Sequence, residues 1–340
     1  MRRATSRLVT GGKLRIRICS RSALAAAAVV VTAGMTYADP LPNEQLKFDN
    51  EPMLATPIGA NGAVYNGHDE ISTAYLSPTA AGVYSGSAMA DDFSDKFATP
   101  VFHVTWWGSY LKQLATGAAG AQRFLISFES DVPQGSSGAN FSHPGAPLLS
   151  EVVSLGALAP GSGTFTETST GITSTDGAIY KYNSELAVPF PEQPDTVYWL
   201  KIVALDETPS STAPNSFIWG WHNRDYTLTD PLAATAPAVS PGETNQGNAA
   251  FPVWHFQDDA VTSAITAVVP TSIGPVPAPD ETNFEPTTYV DNVDGPTGIS
   301  SYSKDLAFQL YTVVPEPTSM AVVTVMAGGL VLRRRNGPVR

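Results

Sequence analysis

Between Asp39 and Val313 the chain has no cysteine. The single one, Cys19, sits in a basic N-terminal stretch, so the body of the protein has neither a disulfide nor a thiol nucleophile. Its stability must come from a buried core, which a segment of this size can build without covalent help. Cations are scarce in that body too. Of 19 lysines and arginines, seven precede Asp39 and four lie from Arg333 onward, while 30 of the 31 acids fall in the centre. Eight cations against 30 acids give the centre a formal charge of −22, where the whole chain shows −12. Such a surface repels phosphate backbones, which argues against nucleic acid as a partner and favours cations. The plainer account of the acids is solubility in a salt-rich medium.

Several reaction signatures are also missing. There is no Gly-x-Ser-x-Gly elbow, no phosphate-cradling glycine loop of either common type and no His-Glu-x-x-His pair. A glycosidase built on two carboxylates leaves no such trace, because only their separation in space would reveal it.

What is present is most distinctive at the two ends. Residues 1–23 carry Arg2, Arg3, Arg7, Lys13, Arg15, Arg17 and Arg21 without an acid, and an apolar run from Leu24 to Ala33 follows. With small residues at Thr36-Tyr37-Ala38, residues 1–38 read as a secretory signal peptide cleaved after Ala38. Export machinery is the first expected partner. The other end reads Val314-Pro315-Glu316-Pro317, then Thr318 to Leu332 without a charge, then Arg333-Arg334-Arg335. A helix over 318–332 reaches only about 22 Å at roughly 1.5 Å per residue, short of a bilayer core of about 30 Å. Its apolar residues occupy every face, however, and the flanking arginines can snorkel to extend its span. Those arginines also orient the segment with the acidic body on the outer side.

Val314-Pro315-Glu316-Pro317, a short apolar helix and a basic terminus together resemble the PEP-CTERM sorting signal of bacteria that make extracellular polysaccharide. The resemblance implies a transient membrane anchor, recognised and removed by an exosortase, a membrane-embedded cysteine protease. It covers residues 314–340. The body carries a second resemblance: Ala90-Asp91-Asp92-Phe93, Trp106-Trp107-Gly108-Ser109-Tyr110 and Asp305-Leu306-Ala307-Phe308-Gln309-Leu310 are similar to an uncharacterised module of exported PEP-CTERM proteins. That module implies an address and an architecture but no reaction.

Within the body, period-two alternation with β-branched and aromatic residues predicts strands over 101–110, 123–129, 178–186, 196–205, 217–222, 251–256 and 306–312. Gly, Pro, Ser and Thr clusters at 133–147, 209–215 and 270–279 read as turns, and no segment shows a helical period. The expected fold is all-β, an antiparallel sandwich over 91–313 with the jelly roll as one form, preceded by a loop-rich part at 39–90.

Aromatic and acidic residues supply the candidate sites. Trp106 and Trp107 must point to opposite faces of an alternating strand, and Trp107 and Trp254 are candidate stacking platforms for sugar rings. Large aromatics are more often core, as Trp219 and Trp221 sharing a face with Phe217 suggest. Asp291, Asn292 and Asp294 form the candidate calcium loop, though Asp and Asn in such a loop also serve as turn residues. The five histidines, His68, His103, His143, His222 and His255, show no zinc spacing and read as hydrogen-bonded structural residues. In Trp221-His222-Asn223-Arg224-Asp225, a buried Arg–Asp pair fixing a turn is the expectation.

These readings add up to a non-enzymatic cell-surface or matrix protein. A carbohydrate-binding module with structural calcium is the alternative, and a polysaccharide-active hydrolase stands third.

Overall fold

The computed structural model describes residues 41–58, 63–94, 98–112, 120–194, 196–208, 216–225, 260–270, 272–293, 295, 297 and 304–313. The expected signal peptide, the 251–256 strand, Trp254, Asp294 and the sorting tail with its 318–332 helix lie outside these residues. Contacts divide the chain into Met1–Thr36, also outside them, and a unit of Tyr37–Arg340 that holds every strand. Among the described residues the fold is all-β, and no helix is long and apolar enough to cross a membrane.

The strands of the first half are β1 (Glu44–Asn50), β2 (Thr56–Ile58), β3 (Ala63–Tyr65), β4 (Asp69–Ile71), β5 (Thr73–Leu76), β6 (Val83–Phe93), β7 (Val101–Lys112) and β8 (Arg123–Val132). They continue with β9 (His143–Leu155), β10 (Thr164–Thr173), β11 (Ala178–Phe190), β12 (Tyr198–Asp206) and β13 (Ile218–His222). The last four are β14 (Val261–Val268), β15 (Gly274–Pro275), β16 (Asp280–Pro286) and β17 (Phe308–Val313). Fifteen belong to one sheet, ordered β1-β17-β7-β11-β10-β9-β8-β12-β5-β6-β14-β16, with β13 joined to β4 and β7, and β15 to β9; β2 and β3 form a separate ribbon. Pairing is antiparallel except between β9 and β10 and between β5 and β12.

The central strands are buried on both faces. In β8, Phe124 and Ile126 join a large aromatic core while Leu125 joins a second apolar cluster. In β12, Ile202 and Ala204 face the first cluster and Val203 and Leu205 the second, so all nine residues of that strand are buried. Such strands read as continuous apolar runs rather than clean alternation. The first core centres on Trp106, stacked on Tyr182 with centroids 5.3 Å apart and edge-on to Phe124 at 5.2 Å. Trp219 closes the group, 5.0 Å from Phe124, with its indole N–H donated to the Tyr182 hydroxyl.

Six of the seven expected strands appear within a few residues of their expected bounds. The part expected to be loop-rich, 39–90, instead supplies β1 to β5 and most of β6, three of them on the main path of the sheet. Small and polar residues in Val83–Phe93 conceal a strand whose pairing with β5, β12 and β14 comes from the backbone. The turn clusters likewise hide the start of β9 and all of β15. Strand β10, Thr-rich and half exposed, has almost no apolar alternation and rests on its ladder to β11.

Candidate functional site

The ionisable groups of this domain are concentrated inside it. Of the described cations, Lys47, Lys201 and Arg224 are buried in ion pairs: Lys47 with Glu192, Lys201 with Glu129 and Glu281, and Arg224 with Asp305 at 3.2 Å. The expected Arg–Asp pair in Trp221–Asp225 therefore exists, but its acid comes from the distant Asp305. Asp225 itself accepts a hydrogen bond from the Thr56 hydroxyl at 2.6 Å. The acids that pair with these cations are buried with them, and further acids such as Asp91 and Glu151 are buried as well, so part of the acidic excess lies inside the fold.

One cluster imitates a nucleophilic triad. His222 Nδ1 lies 3.1 Å from Asp69 Oδ1, and the hydroxyls of Ser109 and Ser174 donate to Asp69 Oδ2 at 2.8 and 2.9 Å. The connectivity differs from that of a triad, since both serines bond to Asp69 and neither to the imidazole. His222 Nε2 is 2.9 Å from the Met53 carbonyl oxygen, which can only accept, so both ring nitrogens act as donors. Burial alone would lower the pKa of this histidine, but the charge and hydrogen bond of Asp69 outweigh it and raise the value. Both ring nitrogens are thus engaged by Asp69 and the Met53 carbonyl rather than by a serine hydroxyl. This set pins β4, β7 and β13 together.

A second cluster has a different character. Glu44 on β1, His103 on β7 and Glu185 on β11 place one ligand atom each within 4.8 Å of the others, the one such trio among the described residues. His103 Nδ1 is 2.9 Å from Glu185 Oε1 and 3.4 Å from Glu44 Oε2. All three side chains are at most 2% exposed. His103 Nε2 lies 3.2 Å from the Thr105 hydroxyl, which donates to Asn183 Oδ1 at 2.8 Å. The Tyr311 ring meets the imidazole edge-on at 5.2 Å. Burial dominates the titration: it raises Glu44 and Glu185 to about 7 and lowers His103 to about 4. The register explains the meeting, because His103 pairs with Glu185 on one side and with Tyr311 on the other. Strand β17 then carries β1 alongside. In sequence His103 shows no ligand spacing, since its two acids lie 59 residues before and 82 after it.

The residues singled out from sequence sit elsewhere. Trp106 and Trp107 do point to opposite faces, but Trp107 keeps only 5% of its surface, packed with Ile179 and Ala307, and the Lys181 ammonium lies 5.8 Å from its ring centre. Trp219 and Trp221 share the aromatic core with Phe217. Asp291 and Asn292 belong to a tight turn: Asn292 has φ 61°, its N–H donates to the Gly295 carbonyl at 2.8 Å, and its side-chain oxygen accepts from Thr297 at 2.9 Å. Asn tolerates that left-handed backbone because its short amide can bond locally.

The three motifs of the body do meet. Asp91 accepts the N–H of Leu306, Phe93 lies edge-on to Phe308 at 6.3 Å, and Trp106 pairs in register with Phe308. No curated protein and no solved structure matches this chain. The profile of one family matches residues 46–272, about two-thirds of the length and, in chain order, most of β1 and all of β2 to β14, so the chain belongs to DUF7901, a domain of unknown function.

Proposed function

We propose that this protein is an exported cell-surface or matrix component without catalytic activity, carried by export machinery and sorted by an exosortase-type protease. One observation carries the reading. Directly after Val313, the last residue of β17, come Val314-Pro315-Glu316-Pro317, the charge-free 318–332 segment and Arg333-Arg334-Arg335. The last of the described strands is thus followed directly in sequence by a segment suited to membrane and protease. Supporting it, the excess of acids over cations between Asp39 and Val313 suits a domain in water and salt outside the cell. The aligned Ser–His–Asp set is held in structural bonds, which agrees with a scaffold rather than a hydrolase.

In the same reading the large sheet doubles into a sandwich. Two apolar layers on opposite faces of β8 and β12 are what such folding would require, because each face must be covered. The test is expression of an epitope-tagged full chain in a polysaccharide-producing bacterium that has an exosortase. The expected outcome is surface or medium localisation with loss of both ends, and retention in the inner membrane when Pro315-Glu316-Pro317 is changed to alanines. A soluble cytosolic protein with both ends intact would overturn it.

A further inference from the structure

We propose that Glu44, His103 and Glu185 form a binding site for one first-row divalent metal ion of the zinc class, which ties the edge strand β1 to the centre of the sheet. The argument is an accounting of hydrogens. The Thr105 hydroxyl gives its hydrogen to Asn183, leaving a lone pair toward His103 Nε2, so Nε2 carries the ring hydrogen. In that tautomer Nδ1 presents a lone pair, the form in which imidazole binds a metal. That lone pair faces carboxyl oxygens of Glu185 at 2.9 Å and Glu44 at 3.4 Å. Three ligand-type atoms from three strands converge on one buried point, and a divalent ion placed between them would serve all three at once.

A separate observation points the same way. Glu44 Oε1, the other oxygen of that carboxyl group, is buried and has no hydrogen-bond partner. A buried carboxyl oxygen normally has one, and a second bond to a metal would satisfy it. The spacing also fits. Ligands about 2.0–2.2 Å from one ion lie about 3.0–3.6 Å from each other, close to the 2.9 and 3.4 Å that separate His103 Nδ1 from its two carboxylates. Thr105 and Asn183 form the outer hydrogen-bond chain that metal-bound histidines characteristically use to fix their tautomer. An imidazole with two carboxylates suits zinc and its neighbours. Calcium, expected from the sequence at Asp291, prefers six to eight oxygens.

Placement gives the site a consequence. In the sheet, β1 pairs only with β17, and β17 pairs on its other side with β7. A metal held by Glu44, His103 and Glu185 would lock β1 against β7 and β11, across the strand that leads into the sorting tail. The ion available outside the cell would then complete a fold that crosses the membrane without it.

The test uses the full chain stripped with chelator and titrated with Zn2+ by calorimetry in excess Mg2+, which occupies the diffuse acidic surface. Co2+ serves as the absorption probe. One equivalent should bind, and Glu44→Gln, His103→Gln and Glu185→Gln should each weaken binding at least a hundredfold. Thr105→Val, which leaves all three ligands in place, should weaken it about ten- to a hundredfold. Zn2+ should slow amide exchange across residues 44–50 in the wild type and leave it unchanged in Glu44→Gln, whose edge position keeps the apo fold. No stoichiometric uptake by the wild type, or equal uptake by wild type and Glu44→Gln, overturns the site.

Discussion

Asp91 Oδ2 accepts the backbone N–H of Leu306 at 2.7 Å, joining segments 215 residues apart in the chain. Asp91 also accepts from the N–H of Asp92 at 3.0 Å. Burial, followed by the nearby Asp305 charge, pushes its pKa well up, while the two N–H bonds and Arg224 act against that. The junction sets the entry to β17, and among the described residues β17 is the only strand that pairs with β1. Two motifs that look independent in sequence are therefore halves of one joint.

Asp91→Ala is expected to lower stability by about 2–4 kcal/mol, because two buried N–H groups lose their acceptor. Asp91→Asn, which keeps one accepting oxygen, should cost less. Urea unfolding followed by tryptophan fluorescence measures both. Equal stability of wild type and Asp91→Ala would show that the joint is not structural.

Gly108 is required by close approach, since a Cβ there would overlap the Gly220 carbonyl oxygen and the Trp219 ring. Backbone and a core indole cannot both retreat, so Gly108→Ala should cost about 3 kcal/mol or more and loosen the β7–β13 pairing. The readout is loss of near-ultraviolet circular dichroism at a lower urea midpoint.

Trp107→Ala should behave as a core truncation, costing about 3–5 kcal/mol, because the ring is buried beneath Lys181. Any fall in retention on immobilised polysaccharide should then track the unfolded fraction. A fully folded Trp107→Ala protein that loses binding shown by the wild type would restore Trp107 as a sugar platform.

Glu151 is fully buried, accepts the N–H groups of Ala187 and Val188, and is raised by burial to about 7 from 4.5. Its folded pKa lies above its unfolded one, so the folded state binds more protons between those values and stability falls as pH rises from 4.5 through 7. Metal-free protein should lose on the order of 1–3 kcal/mol from this group between pH 5 and pH 8. Glu151→Gln should show a correspondingly shallower slope in chemical denaturation. Parallel slopes for the two proteins would refute the assignment.

The strands were legible where a period of two survives in the side chains, as in Val101–Tyr110 with Trp106 inward and Trp107 on the far face. They were not legible where small and polar residues prevail. Val83–Phe93 is held by three neighbours whose contribution is backbone hydrogen bonding, to which residue identity is nearly indifferent. His103 fared the same way: its spacing is uninformative because Glu44 and Glu185 reach it through sheet register.

By itself, then, the chain's linear order determined the partition of charge, the absence of cysteine chemistry, the all-β character and the composition of its two ends. These are properties of local composition and period, which a one-dimensional pattern carries in full. Only the tertiary structure decided that Asp305 meets Arg224, that His222 sits between Asp69 and the Met53 carbonyl, and that three ligand-type side chains from β1, β7 and β11 converge. Those facts depend on strand order and register across long separations, and no local pattern encodes them.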